Sequence, residues 1–483
     1  MRVLDKLEPQ KVFYYFEEIC RIPHGSGNIE QISDYLKGFA EKRNLFCIQD
    51  EYKNIIIVKE ASAGYEKEEP VMLQGHMDMV AVKKPDCALD LKKDGLQPAL
   101  DGDKIYAKGT SLGGDDGIAV AYALALLDSD TIAHPRLEIV ITVDEEVGMD
   151  GARGLDLSML KSRRLLNLDS EEEGIFWASC AGGARVKCSL PLHKEQAAGT
   201  ACRVTVKGLT GGHSGAEIHK ERGNSNGLMG RLLWELAELE GVALAELEGG
   251  LADNAIPRET TALLILKPDI LEKFTETVRN MEQNWKRELA VKDPGVCIDM
   301  AVEKDSVTSS AVTGETYKRA AAFLNGVPDG VQAMSADIEG LLDTSLNLGI
   351  LTMKEELYME FSVRSSLESA KQNLIRRLEA LAFLAGAAVE ISGDYPGWSY
   401  RKDSPLREKM VRVYERMYGK KPEIAAIHAG LECGIIAAKC KDLDCVSIGP
   451  DMSDIHTTEE TLSVSSTKRV WEFLLEFLKE KDL

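Results

Sequence analysis

The chain has 483 residues, of which 44% are apolar and 28% charged. Single cores stop growing near ~250–300 residues, so two domains are expected, and this apolar content excludes a disordered chain. Lys and Arg number 58 against 79 Asp and Glu, a net charge of -21 that disfavours nucleic acid and anionic lipid as partners.

The first helices are predicted at VFYYFEEICRI and IEQISDYLKGFAEKRN, from apolar residues at helical spacing. The opening segment carries acids and lacks a signal peptide's apolar stretch. NIIIVKE and PVMLQG follow as strands, DDGIAVAYALALLDSD as a helix with acids at its start, and RLEIVITVDEE and RRLLNLDSEEE as strands. Strands separated by helices predict a mainly parallel sheet with helices on both faces. Near residue 182 the character changes. Long alternating segments, GGARVKCSLPL, CRVTVKG and TTALLILK, flank the helix GLMGRLLWELAEL, and LYMEFSVRSS, NLIRRLEALAFLAG and AAVEISG repeat that grammar. Beyond Tyr400 the helix and strand pattern of the first part returns in KMVRVYERMYG, DCVSIGP and STKRVWEFLLEFLKE. The fold class is therefore α/β, interrupted by an inserted α+β domain: residues 1–181 and 398–483 form one domain and 182–397 the insert. No run reaches the ~20 apolar residues of a membrane span. The ten cysteines contain no C-x-x-C and read as reduced thiols, which points to the cytoplasm.

The chemistry stands where the predicted strands end. His76 and Asp78 follow VML, Glu145 and Glu146 follow LEIVITVD, Asp169 follows LLNL, and His456 follows CVSIG by seven residues. Asp115 and Asp116 occupy the turn GTSLGGDDG before a helix. In open α/β sheets the ligand crevice lies outside the carboxyl ends of the strands. Singly, each residue has a bland reading as a core imidazole or a solvated helix start. Jointly, they aim two imidazoles and several carboxylates at one place, where Gly, Asn or Ser would turn the chain as well. Nitrogen and carboxylate oxygen without thiolate suit zinc, manganese or cobalt in a catalytic site. The set is large enough for two metal ions with one bridging carboxylate, leaving another as general base.

The segments GHMDMV, GTSLGGDDGIA, DEEVGMDGARGL, NLDSEEEG and SDIHTTEE together resemble the co-catalytic di-zinc metallopeptidases, the family of carnosinase and peptidase T. GLTGGHSGAEIH and ADNAIPRE extend the resemblance over essentially the whole chain. It implies a dipeptidase acting on Xaa-His dipeptides, as a homodimer or monomer. His76 and Asp169 would hold one zinc, Glu146 and His456 the other, and Asp115 both. Glu145 would be the general base, and Asp78 would orient His76. The peptide between Asp115 and Asp116 would be cis. Asp116 stands where many relatives have Asn and would not touch the metals. In the insert, His213 would face the scissile carbonyl oxygen, with His219 as the alternative histidine. Asn254 and Arg364 would hold the substrate's carboxylate, for which an arginine fork is suited. Glu171, Glu172 and Glu173 read as solvated. The same metal residues would serve a tripeptide aminopeptidase or an N-acyl amino-acid deacylase. A non-catalytic peptide-binding protein would have no use for Glu145.

Overall fold

The computed structural model describes residues 2–338 and 341–482. The chain divides into two compact units. The first comprises Met1–Ser179, Tyr400–Ala426 and Leu431–Leu483; the second comprises Cys180–Ser399 and Ile427–Gly430.

The first unit is built on an eight-stranded sheet. Its strands are β1 (Phe46–Gln49), β2 (Ile55–Lys59), β3 (Val71–His76), β4 (Leu137–Thr142), β5 (Arg164–Asn167), β6 (Ile175–Cys180), β7 (Glu423–Ile427) and β8 (Asp444–Ser447). Their order is β1-β2-β4-β3-β5-β8-β6-β7. The four central strands, β4, β3, β5 and β8, run parallel. The expected parallel arrangement gives way on either side, where β1 pairs antiparallel with β2, β2 with β4, and β6 with β8. A short link joins β1 to β2, and such a link closes only an antiparallel hairpin. Every residue of β3 and β4 is buried, as expected of strands covered on both faces.

Helices α1 (Gln10–Cys20), α2 (Glu30–Glu41), α3 (Gly114–Leu127), α4 (Pro405–Tyr418) and α5 (Val464–Lys479) share one apolar core with this sheet. All fourteen residues of α3 are buried, as befits a helix that is apolar all round. Pro405 occupies the first turn of α4, where its missing N–H costs nothing, and Ser404 caps that helix by accepting from Arg407 N–H.

The second unit has its own core around a nine-stranded antiparallel sheet. Helices Ser225–Leu236, Leu271–Glu288, Gly314–Gly326 and Glu368–Ala385 contribute to that core. Asn224 caps the first of them, accepting from Asn226 and Gly227 N–H.

Candidate metal centre

The buried strand β3 ends in His76, whose side chain is 1% exposed. Its Nδ1 lies 3.0 Å from the main-chain carbonyl of Asp78. A carbonyl can only accept, so Nδ1 carries a proton and Nε2 is the nitrogen left to face the acids. That Nε2 faces Asp115 Oδ1 at 3.1 Å and Asp169 Oδ1 at 3.6 Å. His456 repeats the arrangement: its Nε2 lies 3.1 Å from Asp115 Oδ2 and 2.9 Å from Glu146 Oε1. Each oxygen of Asp115 therefore meets a different imidazole.

Electron-rich atoms converging this closely need positive charge among them, either protons on the rings or a metal ion. Ligands on a tetrahedral ion with bonds of about 2.0–2.2 Å sit roughly 3.3–3.6 Å apart. The His76–Asp169 separation of 3.6 Å reaches that value, and the other three, at 2.9–3.1 Å, are hydrogen-bond distances. The protein resolves the conflict by holding protons on the rings. Burial works against the charge of His76, but Asp169, Asp115 and Asp78 outweigh it and raise its pKa well above the ordinary value. Hydrogen bonds to Asp115 and Glu146 raise His456 to about 10. Burial opposes ionisation of Asp115, yet the two imidazoles hold its carboxyl well below the usual range. Burial pushes Glu145, Glu146 and Asp169 the other way, helped by their neighbouring acids. A dication in place of the ring protons satisfies the same atoms, so the donor set fits a metal.

Three overlapping ligand groups exist among the described residues: His76, Asp116 and Asp169; His76, Glu145 and Glu146; and Asp115, Glu146 and His456. The sequence reading thus has His76, Asp115, Glu145, Glu146, Asp169 and His456 in one neighbourhood. Asp116 differs from its expectation, since it also reaches this neighbourhood. Its Oδ2 accepts from His76 N–H at 3.1 Å, and its Oδ1 has no hydrogen-bond partner among the described residues. The Asp115–Asp116 peptide is cis, as the resemblance implies.

Asp78 backs His76 as expected, and its carboxylate has further partners. It meets Nδ1 of His76 through its main-chain oxygen, while its carboxylate stands 3.4 Å off. The carboxylate also accepts from Ser26 Oγ at 2.8 Å, Glu145 N–H at 3.1 Å and Glu146 N–H at 3.4 Å. It therefore fixes the turn that carries the two glutamates. Glu173 is not merely solvated: it takes three hydrogen bonds from the guanidinium of Arg469. Glu171 and Glu172 are exposed or partly so.

Two acids escaped the sequence reading. Glu432 is fully buried, and its Oε2 accepts from Gln74 Nε2 and Thr142 Oγ1 behind the ends of β3 and β4. Burial raises its pKa to about 8, so it is a neutral acid at pH 7. Glu460 is 3% exposed and lies against the turn before α3. Glu432 follows β7 by five residues, but β7 is not among the predicted strands, and Glu460 follows no predicted strand directly.

In the second unit, His213 lies on a two-stranded ribbon and pairs with Ala255, and Asn254 immediately precedes that strand, its carbonyl accepting from Ser214 N–H at 2.8 Å. The N–H groups of Gly215 and Ala216 donate to Nδ1 of His213 at 3.2 and 3.0 Å. The ring proton is therefore on Nε2, which becomes a donor. Burial and Arg364 lower the pKa of His213, keeping the ring neutral. His219 makes no side-chain hydrogen bond among the described residues, and so lacks this anchoring. Arg364 is largely buried on strand Glu356–Ser365; its Nη1 lies 3.4 Å from Tyr395 Oη, and its Nε has no partner among the described residues.

Comparison with known proteins agrees with this geometry. Residues 72–480 match the model of peptidase family M20/M25/M40. The cytosol non-specific dipeptidase of Escherichia coli K12 is 39% identical over 99% of both chains. The crystal structure of aminoacylhistidine dipeptidase from Vibrio alginolyticus superposes with a TM-score of 0.93, at 36% identity and 99% coverage of both chains. Aminopeptidase PepT from Bacillus cereus shares the fold at a TM-score of 0.57 and 15% identity, over 98% of each chain. The chain belongs to peptidase family M20/M25/M40.

Proposed function

We propose that the chain is a metal-dependent dipeptidase that hydrolyses the peptide bond of dipeptides, with Xaa-His dipeptides among its preferred substrates. The observation carrying this reading is that the Nε2 atoms of two imidazoles, His76 and His456, approach the two oxygens of one carboxylate, Asp115. The named activities of the Escherichia coli and Vibrio relatives support the substrate class. The cytosol in the first name supports a cytoplasmic site of action.

In this reading His76 and Asp169 hold one divalent ion, Glu146 and His456 hold a second, and Asp115 holds both. Zinc suits the nitrogen and carboxylate donors. Such a pair of ions, when bound, acidifies a water and polarises a carbonyl. Glu145 accepts the proton of the attacking water and delivers it to the leaving amine. Asp78 keeps Glu145 in place through its main-chain N–H. His213 supplies an Nε2–H donor for the carbonyl oxygen as charge develops there. Asn254 and Arg364 take the carboxylate of the substrate.

Metal-free protein, restored with zinc, should release histidine from Gly-His and carnosine and release no acetate from N-acetyl amino acids. Faster acetate release would make the protein a deacylase. Two ions bound with neither product formed would make it a binding protein.

A further inference from the structure

One buried carboxylate outside the ligand set connects two of the segments that carry it. Glu460 Oε2 accepts from the N–H groups of Leu112 at 2.7 Å and Gly113 at 3.1 Å. Its Oε1 accepts from Gly114 N–H at 2.8 Å and lies 3.4 Å from Asp115 N. Four consecutive amides thus wrap a single side chain. The turn has the composition this demands. Gly113 has φ +66°, and a Cβ on it would meet Met79 Sδ at 2.7 Å. A Cβ on Gly114 would stand 3.2 Å from both Glu460 Oε1 and Met452 Sδ. Successive amides around an anion form a nest at the start of α3, where the helix dipole also favours negative charge.

Glu460 lies four residues after His456, and Asp115 ends the turn that it grips. His456 itself is weakly confined: its side chain is 43% exposed, and it adopts φ +61°, unusual for a residue with a Cβ. Asp115 must meet two imidazoles at once, one from β3 and one from this loop. Its direction depends on where its own backbone is held, and so does its distance from His456.

We infer that Glu460 is a positioning residue for the metal pair, tying the loop of His456 to the turn of Asp115 so that Asp115 can serve both ions. The inference rests on the reading of Asp115 as the bridging ligand. Groups that orient ligands from behind commonly contribute roughly 10–100-fold to metal affinity or activity. Glu460→Gln keeps the shape but replaces one acceptor oxygen with an NH2 that opposes the amides.

The test is zinc binding to the metal-free full chain by calorimetry, alongside the thermal midpoint of that metal-free protein and the kcat and KM of the reconstituted enzyme. Glu460→Gln should weaken at least one of two zinc ions by roughly 10–100-fold. It should lower kcat at fixed zinc, leave KM near wild type, and regain kcat as zinc is raised. Glu459→Gln, which alters only an exposed pair with Lys84, should match wild type in all of these. Should Glu460→Gln fail to fold, Gly114→Ala replaces it, since its methyl presses on the same carboxylate by a few tenths of an ångström. A smaller loss of zinc affinity, with an unchanged metal-free midpoint, is then expected. Wild-type zinc affinity in the folded variant overturns the inference while leaving the dipeptidase reading intact. Failure of the wild-type protein to bind two ions would overturn that reading first.

Discussion

The candidate residues of the two units are held in opposite ways. In the first unit three carboxylates are each held by several donors, although Asp116 Oδ1 and Glu432 Oε1 have no partner among the described residues. Asp78 takes three donors, Glu460 is wrapped by four amides, and Glu432 is locked between Gln74 and Thr142. In the second unit capacity is left unspent: Arg364 keeps an unpaired Nε, and His213 directs a free donor outward from an exposed ring. The difference follows from what each set would bind. A metal ion tolerates little error in ligand position, so its ligands are arranged beforehand. A carboxylate arriving on a substrate brings its own acceptors, and donors already satisfied within the protein would have nothing to offer it. Damage to the first set should therefore appear in kcat and metal content, and damage to the second in KM.

The largest expected effect breaks the first set without removing a proposed ligand. Glu145→Gln should lower kcat by roughly 10²–10⁴-fold with two ions still bound, measured by turnover beside elemental analysis. Loss of metal in step with activity would make Glu145 a ligand, as its place beside His76 and Glu146 allows. Next, Arg364→Ala should raise KM for free dipeptides by roughly 10–100-fold, the equivalent of a charge-assisted hydrogen bond. It should barely change KM for amidated dipeptides, so that the four values form a cycle. Equal losses on both substrates would assign Arg364 to the fold.

Two smaller effects contrast the units through acid. Burial, followed by Arg364, lowers the pKa of His428 in the second unit to about 3. A histidine whose folded pKa lies below its unfolded value of about 6.5 stabilises the protein above 6.5 and loses that contribution as pH falls toward 3. At pH 5 the loss is about 2 kcal/mol. The stability deficit of His428→Asn should therefore shrink by that much between pH 7 and 5, as read from denaturant curves. Asp128 in the first unit behaves differently. Burial opposes its charge, but Lys11, Arg43 and Tyr15 prevail and bring it to about 2. Its contribution is full above the unfolded pKa of about 3.9 and disappears as pH falls through 2. Asp128→Asn should cost about 1 kcal/mol at pH 7, reduced by solvent screening, and nothing below pH 2. A deficit that persists in strong acid would show packing rather than charge.

Much of this arrangement could be read from the chain, because one rule covered it. His76, Glu145, Glu146 and Asp169 follow apolar runs, and a parallel sheet brings the ends of its strands together. What escaped has no such marker. Glu460 looks like one more acid in the polar stretch HTTEE and is distinguished only by the amides it meets. Glu432 opens a short helix, where an exposed acid would be unremarkable. Asp78 was recognisable as a neighbour of His76, but whether its carbonyl or its carboxylate made the contact depended on turn geometry that residue type does not encode. Strands β1 and β6, and the antiparallel direction of the predicted β2, were missed because alternation with helices dominated the pattern.

The order in which these residues leave the ribosome has a consequence for the cell. His456 is made 341 residues after Asp115, and β8 enters the sheet between β5 and β6, which were both synthesised much earlier. At about 5–20 residues per second, the interval from Asp115 to His456 lasts roughly 17–68 s. Throughout it, the nascent chain holds one imidazole of the pair and a sheet whose middle is open. A ribosome that stalls before residue 444 leaves a fragment that lacks both β8 and the second imidazole.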